Sequence, residues 1–269
     1  MQEKFARIRG AVYGFAIGDA MGATTEFMNE DEIKKEYGRV DDIIGGGWLN
    51  LKAGDVTDDT QMSMCVMKVM MDGDYKNFKK NVADRFVKWL ASDPDDVGNQ
   101  CYKAIRYYAE KGEYISMDTT ALGNGSLMRS LPCALLNDES SIKLNISQGE
   151  ITHNNKKCAE IIEKYTNLVK AAIDGKEIDF PKVNLLNPDG YIVNTFNNVL
   201  YWASRDSFEE TLLGAVNHGG DADTIAAIAG GLAGARFSYS SIPDRWIDKL
   251  NPTVRRFLDD FVDFISKGY

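Results

Sequence analysis

Three short acidic segments hold the residues of this 269-residue chain with the clearest potential for chemistry. They are Asp19 with Glu26, the run Thr57-Asp58-Asp59-Thr60, and the run Asp221-Ala222-Asp223-Thr224. Each one alone is explained by helix capping, because Thr and Asp are preferred at the N-cap and in the first turn. Capping needs one short acceptor, however, whereas each of the two runs offers two carboxylates beside a strongly apolar stretch. Buried negative charges are costly unless a cation compensates them, so the joint pattern favours a cation site.

The ligand types indicate which cation this would be. The chain has two histidines, His153 and His218, and four widely spaced cysteines without a CxxC pair, so a zinc site of the usual kind is not expected. Carboxylates and Thr hydroxyls suit hard ions, and we expect Mg²⁺ or Mn²⁺ ahead of Ca²⁺. Carboxylates at two helix starts exceed what a single Mg²⁺ normally takes, so two divalent cations are expected. The lack of histidine ligands also argues against an HD-type phosphohydrolase.

A different feature is the turn GNGSLMR at residues 123–129. Glycines before a helix start can expose backbone N–H groups to an anion, and Arg129 would lie one turn further along. Gly219-Gly220, before Asp221, allow another backbone to approach closely. A simple capping turn explains the first feature equally well, and a break between helices explains the second.

Composition narrows the class of protein. The formal net charge of −9 argues against nucleic-acid binding, because phosphate backbones are held by clustered Lys and Arg. No segment approaches the roughly 20 apolar residues needed to span a bilayer, and the N-terminus lacks a signal-peptide core. The dispersed cysteines are typical of reduced core thiols. We therefore expect a cytoplasmic protein without a membrane or nucleic-acid partner.

The elements that must position these residues are predicted to be helices. Apolar residues recur mostly at three-to-four spacing, with few alternating β-branched runs, so an all-α fold is expected. The helices are predicted at 5–23, 61–71, 78–90, from Asp95-Asp96-Val97 onward, and at 126–136, 155–173, 191–204, 207–217, 221–237 and 253–267. Small residues along the first helix allow close backbone contact. Residues 29–54 are predicted to be one long loop that forms part of a site, and without a linker or repeat the chain is expected to be a single domain over 1–269.

In chain order, these segments resemble the ADP-ribosylglycohydrolase family. The matching segments are GFAIGDAMGATTEF (14–27), GDVTDDTQMS (54–63), DPDDVGNQ (93–100), GNGSLMRSLP (123–132), ITHNN (151–155) and HGGDADTIAAIAGGLAGA (218–235). The resemblance implies a single-domain, all-α orthogonal helical bundle with a binuclear Mg²⁺ or Mn²⁺ centre in a cleft. The metal ligands that it implies are Thr57, Asp58, Asp59, Asp221, Asp223 and Thr224.

The resemblance also implies a reaction. Members of the family hydrolyse the bond between the anomeric carbon of ADP-ribose and an acceptor, and such cleavage passes through an oxocarbenium-like state. Glu26 is then the candidate metal-gated carboxylate near the substrate, and Asp96 is the candidate general acid or base, with Asp95 as the alternative. The residues expected to line the ADP-ribose subsite are Gly123, Asn124, Gly125, Ser126, Met128, Arg129 and His153. His153 is equally well explained as a packed structural histidine.

Three functions therefore stand as hypotheses. The first is metal-dependent hydrolysis that releases ADP-ribose from an arginine or serine side chain of a modified protein, or from a small ADP-ribosyl compound. The second is binding of ADP-ribose or of a partner without turnover. The third is a helical protein of other function, in which both acidic runs are ordinary helix caps.

Overall fold

The computed structural model describes residues 2–118, 120 and 122–268, and helices dominate it. Among these residues the only β-type pairings are the isolated bridges Gly46–Leu51 and Gly123–Tyr191, which confirms the all-α prediction. The α-helices of the described residues are α1 (Gln2–Gly22), α2 (Glu30–Tyr37), α3 (Asp58–Asp72), α4 (Phe78–Leu90), α5 (Asn99–Lys111), α6 (Leu131–Ala134), α7 (Ser140–Gly149), α8 (Lys156–Ile173), α9 (Ile192–Ala203), α10 (Phe208–His218), α11 (Ala222–Phe237), α12 (Asp244–Lys249) and α13 (Pro252–Ser266).

The stretch 29–54 is not one long loop, because it begins with α2. Asn29 is the N-cap of this helix: its side chain accepts a hydrogen bond from the Glu32 N–H at 3.0 Å, and the Asn29 N–H donates to Glu32 Oε2 at 2.8 Å. This capping box satisfies two backbone donors at the helix start, which explains why so polar a segment is helical. Only the part after α2 is irregular.

Two predicted helices were misplaced, and two further helices besides α2 were missed. The helix expected from Asp95–Val97 starts at Asn99 instead. The helix expected at 126–136 is reduced to a 3₁₀ turn and the short α6, because Pro132 lacks an N–H and cannot lie inside a longer helix. The missed helices are α7 and α12.

The antiparallel pair of α1 and α11 lies at the centre of the fold. Small residues spaced four apart face one another along its length: Gly10, Gly14, Gly18 and Gly22 on α1 against Gly234, Gly230, Ala226 and Ala222 on α11. A Cβ atom at Gly18 would lie 2.1 Å from the Ala226 carbonyl oxygen, so only hydrogen fits at that position. This close contact brings the C-terminal end of α1 beside the N-terminal end of α11, where two of the acidic segments lie.

The remaining helices surround this pair. Buried apolar side chains from α1 to α13 form one core cluster, in which Trp246, Tyr165 and Phe86 are among the largest fully buried groups. None of the helices in the described part of the chain combines the length and apolar character needed to cross a membrane.

Candidate metal centre

A cleft of about 540 Å³ opens where the ends of the central helices meet. Its walls are formed by the turn after α1, the starts of α3 and α11, and the loops before α5 and α9. The predicted site residues that line it are Glu26, Asp58, Asp96, Gly123, Asn124, Gly125, Met128, His153, Asp221, Asp223 and Thr224. Segments more than 190 residues apart in sequence thus meet around one space.

Carboxylates converge at the floor of this cleft in two overlapping groups. Oxygen atoms of Asp19, Asp59 and Asp223 all lie within 4.8 Å of one another. Oxygen atoms of Glu26, Asp221 and Asp223 form the second group within the same distance. Asp223 belongs to both groups, so the arrangement has the form of two neighbouring cation positions that share one side chain.

Asp19 holds the start of α3 against α1. Its carboxylate accepts hydrogen bonds from the Thr57 N–H at 3.1 Å, the Thr57 hydroxyl at 2.8 Å and the Thr60 N–H at 3.0 Å. Thr57 Oγ1 accepts in turn from the Asp59 N–H at 3.3 Å, which makes Thr57 the N-cap of α3. The helix cap and the acidic cluster are therefore parts of one hydrogen-bond network. Asp19, one of the acidic residues noted in the sequence without a specific role, orients the segment that carries Asp58 and Asp59.

Hydrogen bonds also connect the start of α11 to this acidic cluster. The Thr224 hydroxyl donates to Asp59 Oδ2 at 3.1 Å, which joins α11 to α3. Asn124, from the Gly123–Gly125 turn, donates from Nδ2 to Asp221 Oδ2 and to Thr195 Oγ1. These bonds restrict the carboxylates to the orientations seen, and they connect the expected ADP-ribose turn directly to the acidic cluster.

Within the cleft, the described residues offer these carboxylates no positively charged side chain to balance them. No Lys or Arg is among the residues described here that line the cleft. Asp59 Oδ1 and Asp223 Oδ1 are buried, and neither has a hydrogen-bond partner in the part of the chain that the structure describes. Buried polar atoms nearly always have partners, so these two oxygens indicate a ligand that the chain itself does not supply. The oxygen-only donor set and the orphaned atoms fit a pair of hard divalent cations.

Burial and mutual repulsion shift the proton affinities of the cluster. Burial, and then the neighbouring carboxylates of Asp96 and Asp19, raise the pKa of Asp58 to about 8. Burial also raises the pKa of Glu26 to about 8, although the hydrogen bond from Trp48 opposes the shift. Burial raises the pKa of Asp221 to about 6. Without cations, several of these groups hold protons at neutral pH, whereas bound cations favour the ionised forms.

Glu26 is held at the rim by an aromatic residue that sequence reasoning did not identify. The Trp48 indole N–H donates to Glu26 Oε2 at 2.5 Å. Trp48 and Phe27 pack with ring centroids 5.4 Å apart and remain half or more exposed, at 51% and 67%. The only sequence signal for Trp48 was its place in the stretch 29–54, which was predicted to form part of a site.

The structure separates the two neighbouring candidates for the proton-transferring carboxylate. Asp96 lines the cleft, and burial raises its pKa, with Asp58 close enough to modify it. Asp95 is exposed and is not part of the cleft lining. The geometry therefore favours Asp96 over Asp95.

Four predicted site residues do not line the cleft. Thr57 and Asp59 lie beneath its floor, within the hydrogen-bond network of α3. Ser126 and Arg129, which were expected in the ADP-ribose subsite, are fully buried behind the Gly123–Gly125 turn. Arg129 does not reach the cleft because its guanidinium points inward and donates hydrogen bonds to Gln148, Thr152 and the Gly125 carbonyl oxygen.

The loop before α9 supplies a wall that no motif had indicated. Pro188, Asp189 and Gly190 line the cleft, and the Asn124 N–H donates to the Gly190 carbonyl oxygen at 3.0 Å. The Asp221 N–H donates to the Pro188 carbonyl oxygen at 2.8 Å. Because these contacts use backbone atoms, the side-chain types in this loop carry little signal of its role.

Comparison with known proteins relates this site to one family. The ADP-ribosylglycohydrolase family model matches residues 1–183 and 179–268. The ADP-ribosyl-[dinitrogen reductase] glycohydrolase of Rhodospirillum rubrum is 36% identical over 278 residues, which cover 96% of this chain and 94% of that protein. The ADP-ribosylarginine hydrolase Tri1 of Pseudomonas putida (strain GB-1) is 30% identical over 292 residues, with 93% and 75% covered. A solved structure described as an ADP-ribosylglycohydrolase-related protein complex matches with a TM-score of 0.87 at 28% identity, covering 100% of this chain and 99% of that one.

Proposed function

The chain belongs to the ADP-ribosylglycohydrolase family, and from this premise we propose that it uses two divalent cations, Mg²⁺ or Mn²⁺, to release ADP-ribose from arginine side chains of modified proteins. The observation that carries the proposal is the pair of overlapping carboxylate groups, with its two orphaned oxygens, beside the Gly123–Gly125 turn. We further propose that the chain acts as one domain over residues 1–269 in the reducing cytoplasm, which the single core cluster and the thiol form of the cysteines support.

The residues of the cleft support specific roles in this reaction. Two bound cations would hold the ribose hydroxyls and polarise a water molecule. Asp96 faces the same space, and its carboxyl group exchanges a proton with the water or with the leaving nitrogen. Glu26, which is bonded to Trp48 on one side and lies near the oxygens of Asp221 and Asp223 on the other, closes the site around substrate and cations.

The charge of the cleft supports arginine as the acceptor. Eight carboxyl groups lie in or under the cleft, more than the four positive charges of two divalent cations can balance: Asp19, Glu26, Asp58, Asp59, Asp96, Asp189, Asp221 and Asp223. A guanidinium-linked acceptor carries positive charge and is complementary to this excess, whereas an O-glycosidic serine linkage is neutral. The name of the relative from Pseudomonas putida, an ADP-ribosylarginine hydrolase, agrees with this choice.

The experiment is a substrate panel with controlled metal content. Metal-free protein is incubated with Mn²⁺, Mg²⁺ or a chelator, together with peptides ADP-ribosylated on arginine or on serine, poly-ADP-ribose and ADP-ribose 1″-phosphate. Mass spectrometry then identifies the products. We expect free ADP-ribose from the arginine peptide only when a divalent cation is present.

A matched pair of variants tests the assignment of the proton-transferring group. Asp96→Asn is expected to lower kcat by about 100-fold or more, the usual contribution of a general acid or base, whereas Asp95→Asn retains wild-type kcat. Release of ADP-ribose from the serine peptide alone would contradict arginine as the acceptor. Tight ADP-ribose binding without any product would support the non-catalytic alternative, and equal turnover in chelator would exclude the metal mechanism.

A further inference from the structure

A buried arginine lies beneath the Gly123–Gly125 turn, and no carboxylate of the described residues hydrogen-bonds it. Arg129 is 0% exposed, and its guanidinium is 4.8 Å from the Phe86 ring centroid. Each of its five N–H donors can be assigned an acceptor: Gln148 Oε1 at 2.7 Å, Gln148 O at 3.0 Å, Gly125 O at 2.5 Å, Thr152 Oγ1 at 2.8 Å and Cys101 Sγ at 3.7 Å. Because a guanidinium can only donate, the direction of each of these bonds is determined.

The contacts of Arg129 determine where the Thr152 hydroxyl donates its proton. Thr152 Oγ1 accepts from Arg129 Nη2, so its single proton is free to be donated elsewhere. His153 Nδ1 lies 2.8 Å from Thr152 Oγ1. Cys101 Sγ, 4.0 Å away, donates to Thr152 Oγ1 and so does not take this proton. The Thr152 proton therefore goes to His153 Nδ1, which accepts.

His153 must then carry its proton on the other ring nitrogen. Burial, and then the charge of Arg129, lower the pKa of His153 to about 3, so the ring is neutral at physiological pH. A neutral imidazole that accepts at Nδ1 donates from Nε2. His153 is 3% exposed and lines the cleft, and no atom of the described residues hydrogen-bonds Nε2. Nε2 lies against the turn, 2.9 Å from where a Cβ of Gly123 would be.

We infer that Arg129 and Thr152 are positioning residues that lock His153 in the Nε2–H tautomer, so that a preoriented neutral N–H donor faces the cleft beside Gly123–Gly125. On the proposed function, the acceptor for this donor is an oxygen of the diphosphate of ADP-ribose. Arg129 supports this recognition without touching the ligand, because it fixes the hydrogen-bond direction through Thr152 and holds the turn through the Gly125 carbonyl oxygen. Arg129 therefore contributes to the site although it is buried.

The test is histidine-selective ¹⁵N NMR of the full-length protein. The chain has only two histidines, so the spectrum contains two ring spin systems, and a His218→Gln variant assigns them. His218 is the internal reference, because it lies at the end of α10 and pairs with Glu30 at 2.7 Å instead. We expect the wild-type His153 ring to be neutral with the proton on Nε2 at neutral pH. A proton on Nδ1, or an imidazolium, would overturn the inference without any variant being made.

Two substitutions at Thr152 separate positioning from packing. Thr152→Val keeps the shape but removes the hydroxyl, so the population of the Nδ1–H tautomer of His153 is expected to rise and ADP-ribose affinity to fall about tenfold, the value of one hydrogen bond. Thr152→Ser restores the hydroxyl and is expected to restore the wild-type spectrum and affinity. An unchanged tautomer in Thr152→Val would contradict the relay. If the wild-type protein hydrolyses none of the substrates in the panel, the proposed function is contradicted instead. The tautomer of His153 can still be determined from the NMR spectrum in that case.

Discussion

Removing divalent cations is expected to make the stability of this protein fall as the pH rises from about 6 to about 8. In the folded protein, burial raises the pKa of Asp58 and of Glu26 to about 8, whereas carboxyl groups of an unfolded chain ionise near pH 4. Between these values the folded state retains protons that the unfolded state has lost. Each increase in pH therefore favours unfolding, and the effect ends above the folded-state pKa.

The size of the effect follows from the same values. One carboxyl group that is protonated only in the folded state lowers the free energy of unfolding by about 1.4 kcal/mol per pH unit, or about 3 kcal/mol over two units. Because neighbouring carboxyl groups repel and ionise in succession, the total is expected to stay near this figure. At about 2–4 °C per kcal/mol for a chain of this length, the Tm falls by roughly 6–12 °C.

The assay is thermal and urea unfolding of chelator-treated protein at pH 6, 7 and 8, with and without saturating Mn²⁺. Bound cations stabilise the ionised carboxylates, so Mn²⁺ is expected to raise the Tm most at pH 8 and to flatten the pH dependence. Asp223→Asn removes the carboxylate shared by both groups, and it should raise the metal-free Tm at pH 8 while reducing the response to Mn²⁺. Asp95→Asn is the exposed control and should behave as wild type.

A specific result would refute this reasoning. If the metal-free protein had the same Tm at pH 6 and pH 8, and if Mn²⁺ left both values unchanged, the carboxylates would not hold uncompensated charge in the folded state. The two acidic runs would then be ordinary helix caps, and the proposed metal chemistry would lose its structural basis.

Three further substitutions test other parts of the structure. Gly18→Val forces a Cβ onto the facing backbone of α11 and is expected to lower the free energy of unfolding by about 3 kcal/mol or more in urea titrations, whereas Gly98→Ala, with open space around it, should change it by less than about 1 kcal/mol. Trp48→Phe removes the indole donor that lowers the pKa of the rim carboxylate, so calorimetry should show about tenfold weaker Mn²⁺ binding at pH 6.5 and a smaller loss at pH 8.5. Asn124→Ala leaves Asp221 Oδ2 without its donor and should also weaken Mn²⁺ binding, by severalfold in the same titration, while the Tm of the chelated protein changes little.

The spacing of apolar residues predicted much of the fold, and the wrong helix predictions have their causes in short sequence segments. The long apolar helices α3, α8 and α11 were expected within a few residues of their bounds, because their periodicity extends over many turns. The α2 segment has too few apolar residues to show helical periodicity, and its helix depends on a capping box. The helix at 126–136 is shorter than its apolar pattern predicts, because Pro132 is tolerated only in the first turn of a helix. Short helices with little apolar signal are decided by such single contacts.

By itself, the sequence determined the all-α class, the oxygen-only character of the candidate metal ligands and the likeness to one family, because these depend on residue types and on short-range spacing. Only the tertiary structure decided which side chains share a space. It joined Asp19 to Thr57 and Glu26 to Trp48, across 38 and 22 residues of chain, and it favoured Asp96 over Asp95. It also turned Arg129 away from the cleft, where the sequence had placed it, because the direction of a side chain depends on how its helix or turn packs and not on its neighbours in sequence.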